Sequence, residues 1–190
     1  TPSTGYSFDY WTGAGVSSTS SANTTVAMTA DRNVSAVFAL NEYTLSVTAG
    51  SGGSVLGAGT YSHGTDASIS ASPETGYHFV NWTGATVANA NSASTTISMA
   101  QNNSVTANFA IDEHVLTLNT GSGGSVSGAG TFNYGTDASI TATPDVGYQF
   151  IAWTGAGATD STAATTTVSM TSDRNVTASF AILQYSLSAD

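Results

Sequence analysis

The chain has 190 residues, twelve of them acidic against two arginines (Arg32, Arg174) and no lysine, giving a formal charge of −10. That charge repels nucleic acid and anionic membrane surfaces, and the missing lysine excludes Schiff-base chemistry and lysine-based isopeptide cross-links. With no cysteine there is no disulfide and no thiolate metal site, and no apolar run approaches the roughly 20 residues that cross a bilayer. Serine and threonine make up nearly a third of the chain, so the surface is expected to be hydroxyl-rich and to offer trypsin-like proteases few cleavage points.

The sequence repeats at a step of 71 residues with no insertion or deletion. Trp11, Trp82 and Trp153 are in register, as are Tyr6, Tyr77 and Tyr148, then Met28, Met99 and Met170, and Phe38, Phe109 and Phe180. Such self-similarity marks an array in which each copy is one small module. Residues 41–111 and 112–182 read as full copies, residues 1–40 as the back part of a copy, and residues 183–190 as the first strand of another. No signal peptide or initiator methionine is visible. Because the pattern opens within a copy, an anchor or export signal is expected outside the window.

Taken in chain order, the elements alternate apolar and polar residues with period two, the pattern of strands. The Pro2-to-Gly5 segment reads as a Pro-initiated turn, as do Pro73 to Gly76 and Pro144 to Gly147. Asp31-Arg32-Asn33, Gln101-Asn102-Asn103 and Asp173-Arg174-Asn175 each stand between two alternating runs and read as hairpin loops. In the second copy Tyr43, Leu45 and Val47 alternate with Thr44, Ser46 and Thr48. Glycine turns follow at Gly52-Gly53, Gly57-Ala58-Gly59 and His63-Gly64-Thr65-Asp66, and then strands Ala67–Ala71, Ile97–Met99 and Val105–Phe109. The third copy repeats this with Leu116/Leu118, Ala138/Ile140/Ala142, Val168/Met170 and Val176/Ala178/Phe180. Threonine on the outer faces favours strand through its β-branch. The expectation is an all-β array of modules with about six short strands each, joined by short, stiff linkers.

The runs Tyr43–Val47, Gly52–Val55, Gly64–Ala71, Pro73, Gly76–Gly84 and Val105–Phe109 carry a family resemblance. Together they resemble the divergent internalin B B-repeat family, related to the Listeria–Bacteroides repeats, which occur in tandem in large bacterial and archaeal surface and secreted proteins. The glycine–aromatic–tryptophan segment recurs three times in register, so the likeness covers essentially the whole chain. It implies a compact β-rich module, β-grasp-like or a small β-sandwich, exported and used as a spacer or adhesive repeat, with no catalytic residues to transfer. The absence of lysine and the short linker depart from the family pattern.

Tyr77, Phe79, Trp82 and Phe109, with Tyr148, Phe150, Trp153 and Phe180, are expected to form the core, as one large aromatic per small domain usually does. Strict alternation would put Trp82 on the face opposite Tyr77 and Phe79, beside Val80, unless a bulge re-aims it. Position 80 is Val80 and Ile151 in two copies but Asp9 in the first, which suggests a partly wet face. Asp112 and Glu113 at a junction are the candidate calcium ligands, although no stretch has the ligand spacing of a calcium loop; no other cofactor is implied. His63, His78 and His114 are matched by Tyr134, Gln149 and Tyr43 or Tyr185, so they read as ordinary residues. No nucleophile elbow and no recurring carboxylate pair appear. Asn33, Asn102 and Asn175 are candidate glycosylation sites, being Asn-x-Ser/Thr sequences in the same expected loop.

Two classes of function follow. The first is a non-catalytic structural segment of a large exported protein (stalk, fibre or adhesin shaft), extracellular or on a bacterial or archaeal surface. Its partners are then neighbouring repeats and, through strand edges, other chains. The second is a binding module for carbohydrate or a host surface protein through exposed Trp or Tyr, or a spacer in a large secreted enzyme. No enzymatic activity, nucleic-acid partner or direct membrane contact is expected.

Overall fold

The structure, a computed structural model, describes residues 1–187. Every regular element among them is a β-strand. The first copy supplies β1 (Tyr6–Thr12) and β2 (Ser35–Leu40), which pair antiparallel. The second supplies β3 (Glu42–Ala49), β4 (Gly53–Leu56), β5 (Gly59–Ser62), β6 (Thr65–Pro73), β7 (Tyr77–Gly84), β8 (Ser94–Met99) and β9 (Asn103–Ile111). The third supplies β10 (Glu113–Thr120), β11 (Gly124–Ser127), β12 (Gly130–Asn133), β13 (Thr136–Pro144), β14 (Tyr148–Gly155), β15 (Thr165–Met170) and β16 (Arg174–Ile182). Residues 183–187 are not in a strand, and the remainder of the segment expected to begin another copy lies outside the described residues.

Each full copy holds two sheets. One has four strands, in the order β5-β3-β9-β7 or β12-β10-β16-β14; the other has three, β4-β6-β8 or β11-β13-β15. The first and last strands of a copy are neighbours and run parallel, Leu45 opposite Asn103 and Leu116 opposite Arg174. This mixed sheet keeps one layer of a β-grasp arrangement, but the layer packed against it is a second sheet and not a helix. Leu45, Ala67, Ile69, Trp82, Ile97, Met99, Val105 and Ala107 from both layers make one core in the second copy. Leu116, Ala138, Ile140, Trp153, Val168, Met170, Val176 and Ala178 make the matching core in the third. The inward residues are those of the period-two pattern, because alternate side chains point to opposite faces.

Three sequence expectations are corrected. A full copy has seven strands, because the corner at Gly57 separates two four-residue strands that join different sheets, β4 with β6 and β5 with β3. The Gln101–Asn103 and Asp173–Asn175 segments are not hairpin loops, since β8 and β9, like β15 and β16, lie in different sheets. Alternation on both sides of a loop reports which face is buried but not which strand is adjacent. The turn after Pro73 starts one residue later than expected: Tyr77 N–H donates to Glu74 O at 3.0 Å, with Gly76 at φ +81°. Pro73 ends β6 and stands just ahead of that turn.

The chain divides into two compact units, Thr1–Ser72 with Phe79–Phe109, and Pro73–His78 with Ala110–Asp190. The division does not follow the 71-residue copies. The turn Pro73–His78 groups with Ala110 onward, and not with the strands on either side of it in the chain.

Candidate functional site: the aromatic core and the linker joint

Tryptophan lies on the same side as its aromatic neighbours because the strand is bulged. In β14 the register shifts between Phe150 and Ala152, and in β1 between Phe8 and Tyr10, so Ile151 and Asp9 are the extra residues. An inserted residue reverses the alternation beyond it, which turns Trp153 toward the core and leaves Ile151 47 % exposed. Phe150 then lies 5.6 Å from Trp153 and 6.0 Å from Phe180. Phe79, Trp82 and Phe109 repeat the arrangement in the second copy, and Phe8, Trp11 and Phe38 in the first. Trp82 and Trp153 are each 3 % exposed, so their rings offer no stacking surface to a sugar. Tyr77 and Tyr148 are half-buried at the start of the same strands.

Each tryptophan also organises the loop that follows it. The indole N–H donates ten residues ahead, to Ser21 O, Ser92 O and Ala163 O, at 3.0, 3.0 and 3.1 Å. Its backbone N–H donates eight residues ahead, to Thr19 O, Ala90 O and Ser161 O. A buried indole N–H requires a partner, and the loop wraps over the ring to supply one. At the tip of the third loop the Asp160 carboxylate accepts from Thr162 Oγ1 and N at 2.8 Å and from Ala163 N at 3.2 Å. Those bonds, that from the Thr162 hydroxyl first, hold its carboxyl below the ordinary aspartate range. A depressed folded value gives stabilisation that is present above the unfolded value and lost as pH falls through the folded one. Asp160→Ala is therefore expected to flatten slightly the acid-side fall in melting temperature. Thermal melts through an acid pH series check this, and an identical acid limb in the variant would contradict it.

The linker joint is the second recurring constellation. Asp112 is the single residue between β9 and β10. Its N–H donates to Gly76 O at 2.8 Å, and its carbonyl accepts from Tyr134 N–H at 2.7 Å. The Tyr134 ring lies against Gly76, where a β-carbon would sit 2.2 Å from Cδ1. Asn41 makes the same two bonds, to Gly5 O and from His63 N–H, and the His63 ring lies against Gly5. At Gly147 the linker bond from Leu183 N–H is present, but a β-carbon there would meet no ring and no other atom within 4 Å among the described residues.

The candidate calcium ligands fall at this joint. Asp112 Oδ1 lies 2.7 Å from His78 Nδ1, and Glu113 opens β10 opposite Asn133. Among the described residues no three His, Asp or Glu side chains converge as a metal-holding group. His114 Nδ1 lies 3.5 Å from Asp173 Oδ1, whereas His63 is half-buried with its Nδ1 unpaired. The candidate glycosylation residues are placed differently from one another. Asn33 is exposed ahead of β2. Asn102 Oδ1 accepts from Thr44 N–H at 2.8 Å, and Asn175, exposed in β16, accepts from Asn119 Nδ2 at 2.5 Å.

Sequence reasoning missed Asn102 and Asp173 as structural latches. Asp173 Oδ1 accepts from Val115 N–H at 2.9 Å, as Asn102 does from Thr44, each tying a loop to the first strand of its copy. A signal was present, an acceptor side chain (Asp31, Asn102, Asp173) at the same loop position in every copy. One surface depression is lined by the hydroxyls of Ser68, Ser70, Ser94, Thr95 and Thr96 with Ile69. In the first copy the aromatic cluster borders an open cavity of about 290 Å³ lined by Phe8, Trp11, Ala36 and Phe38. The matching ring in the second copy, Phe109, is covered by Gly53, whose hydrogen faces the ring.

An all-β chain of tandem modules, alike in core and joint, is a repeat protein. It belongs to the divergent InlB B-repeat domain family, whose model matches residues 1–42, 43–113 and 114–184. Nothing matches among the curated proteins or among the solved structures. The family is a repeat domain and not a known enzyme family.

Proposed function

We propose that the chain is a non-catalytic structural segment of a larger exported protein, serving as a stalk, fibre or adhesin shaft on a bacterial or archaeal surface. The observation that carries this reading is what the copies share. They share a tryptophan with its wrapped loop, buried in the two full copies, and, at Asn41 and Asp112, a one-residue linker with the same two backbone bonds. They do not share the groups chemistry would use: His63 stands where Tyr134 does, His78 where Gln149 does, and Asp112 where Asn41 and Leu183 do. The acidic, hydroxyl-rich, cysteine-free surface supports solubility outside the cell. Its partners are then neighbouring repeats, with exposed strand edges as the contact for any association between chains. A sugar-binding role through the buried tryptophans of the full copies has no support in their 3 % exposure.

Antibodies raised against this chain should label intact cells of the source organism. Label appearing only after the cells are broken would overturn the surface assignment. Blue-shifted tryptophan emission unaffected by added oligosaccharides is the accompanying expectation, and a ligand-induced shift would favour the binding-module reading.

A further inference from the structure

We infer that the parallel pairing of the first and last strands of each full copy is a shear clamp, which makes the copy resist tension applied along the chain. This inference rests on the structural role proposed above and specifies what that role demands of the fold. The chain enters a copy at the start of β3 and leaves it at the end of β9. Because these two strands are adjacent and parallel, tension pulls β3 backward along its own axis and β9 forward along its own. Parallel ladder bonds are evenly spaced, so all of them are loaded together. Two strands drawn apart from one end would instead lose their bonds one at a time.

The clamp is reinforced in each copy. In the second, the register from Leu45–Asn103 to Ala49–Ala107 is extended at one end by Thr44 N–H to Asn102 Oδ1 at 2.8 Å. At the other end Gly50 N–H donates to Ala107 O at 2.8 Å, and a Thr48–Thr106 hydroxyl bond of 2.8 Å crosses the outer face. In the third, Leu116–Arg174 to Thr120–Ala178 is extended by Val115 N–H to Asp173 Oδ1 at 2.9 Å and crossed by Asn119 to Asn175. The inner faces are buried over most of the pairing: Leu45 and Val105 are 1 % exposed and Ala107 0 %; Leu116 and Ala178 are 1 % and Val176 0 %, with Val47 and Leu118 half-buried. Water therefore has little access to compete for these bonds while they are loaded. The rest of each copy lies in the connection between the two clamp strands, shielded from the load until they part.

Single-molecule pulling on the whole chain tests this, and the lack of native cysteine lets handles be placed at will. Held at its two ends, the chain should give two high-force unfolding events, each lengthening it by up to roughly 250 Å, the extended span of one copy. Forced unfolding reads the unfolding barrier, so direction should matter. Handles at Glu113→Cys and Ile182→Cys shear β10 against β16. Handles at Glu113→Cys and Ser172→Cys pull both strands apart from their N-terminal ends. The shear pair should need several-fold more force, and Asp173→Ala, with tryptophan emission unchanged, should lower one of the two end-to-end peaks and spare the other. Equal force in the two directions, or both peaks unmoved by Asp173→Ala, would overturn the clamp. Either result would leave the surface role standing, because a spacer need not be strong, and cell labelling tests that role separately.

Discussion

Truncating Trp153 to alanine will destabilise the third copy by about 3–5 kcal/mol, the range for removing a large buried aromatic. Three losses coincide there. The ring is 3 % exposed and packs against Phe150, so a cavity opens at the centre of the core. The indole bond to Ala163 O disappears, freeing the loop it anchors. A module of this size has only about 5 kcal/mol or little more to lose. Urea unfolding followed by far-ultraviolet circular dichroism, which reads the strands of every copy, should therefore show an early transition in Trp153→Ala that the native chain lacks. Trp11→Ala is the internal comparison, since Trp11 is half-buried beside an open cavity, and its effect should be clearly smaller. Similar losses at the two positions would mean that burial of the tryptophan does not set the stability of a copy.

Gly76→Ala should cost about 2–4 kcal/mol, whereas the same change at Gly147 should cost only about 1 kcal/mol. Both glycines are left-handed, at φ +81° and +85°, so both variants carry the backbone penalty of an L-residue. Only at Gly76 does the new methyl also meet an obstacle, the near edge of the Tyr134 ring. The ring would have to swing off the turn and uncover Gly76, which is buried beneath it. Denaturation of Gly76→Ala, Gly147→Ala and Tyr134→Ala, with Gly76→Ala/Tyr134→Ala completing a double-mutant cycle, separates the two terms. Removal of the ring should return the Gly76 cost to that of Gly147. An undiminished cost in the double variant would assign the whole effect to the backbone.

These two positions show what could be read from the residues and what could not. Leu45, Ile69, Met99 and Val105 were legible as inward residues because alternation fixes the face of a strand. The all-β class and the family likeness followed from the same pattern and from the glycine turns. Partnership between strands was not legible. Nothing local to Gln101–Asn103 distinguishes a hairpin from a passage between sheets, and the parallel pairing of β3 with β9 joins residues 58 apart at Leu45 and Asn103. The bulge at Ile151 was visible only as a conflict, since a tryptophan on the wrong face invites an inserted residue without proving one. The ring against Gly76 was hidden for another reason. Glycine had an adequate local explanation in its turn, and the close approach of Tyr134 comes from a different copy of the repeat.

The one-residue linker gives the period its strictness. Asp112 must present its N–H to Gly76 and its carbonyl to Tyr134 at once, and Asn41 does the same between Gly5 and His63. One more residue there would reverse the inside–outside alternation of the strand that follows and separate the two bonds by a full residue rise. One fewer would leave no residue to make them. The linker thus acts as a gauge of length, admitting substitution as freely as Asn, Asp and Leu replace one another at positions 41, 112 and 183, while rejecting insertion and deletion.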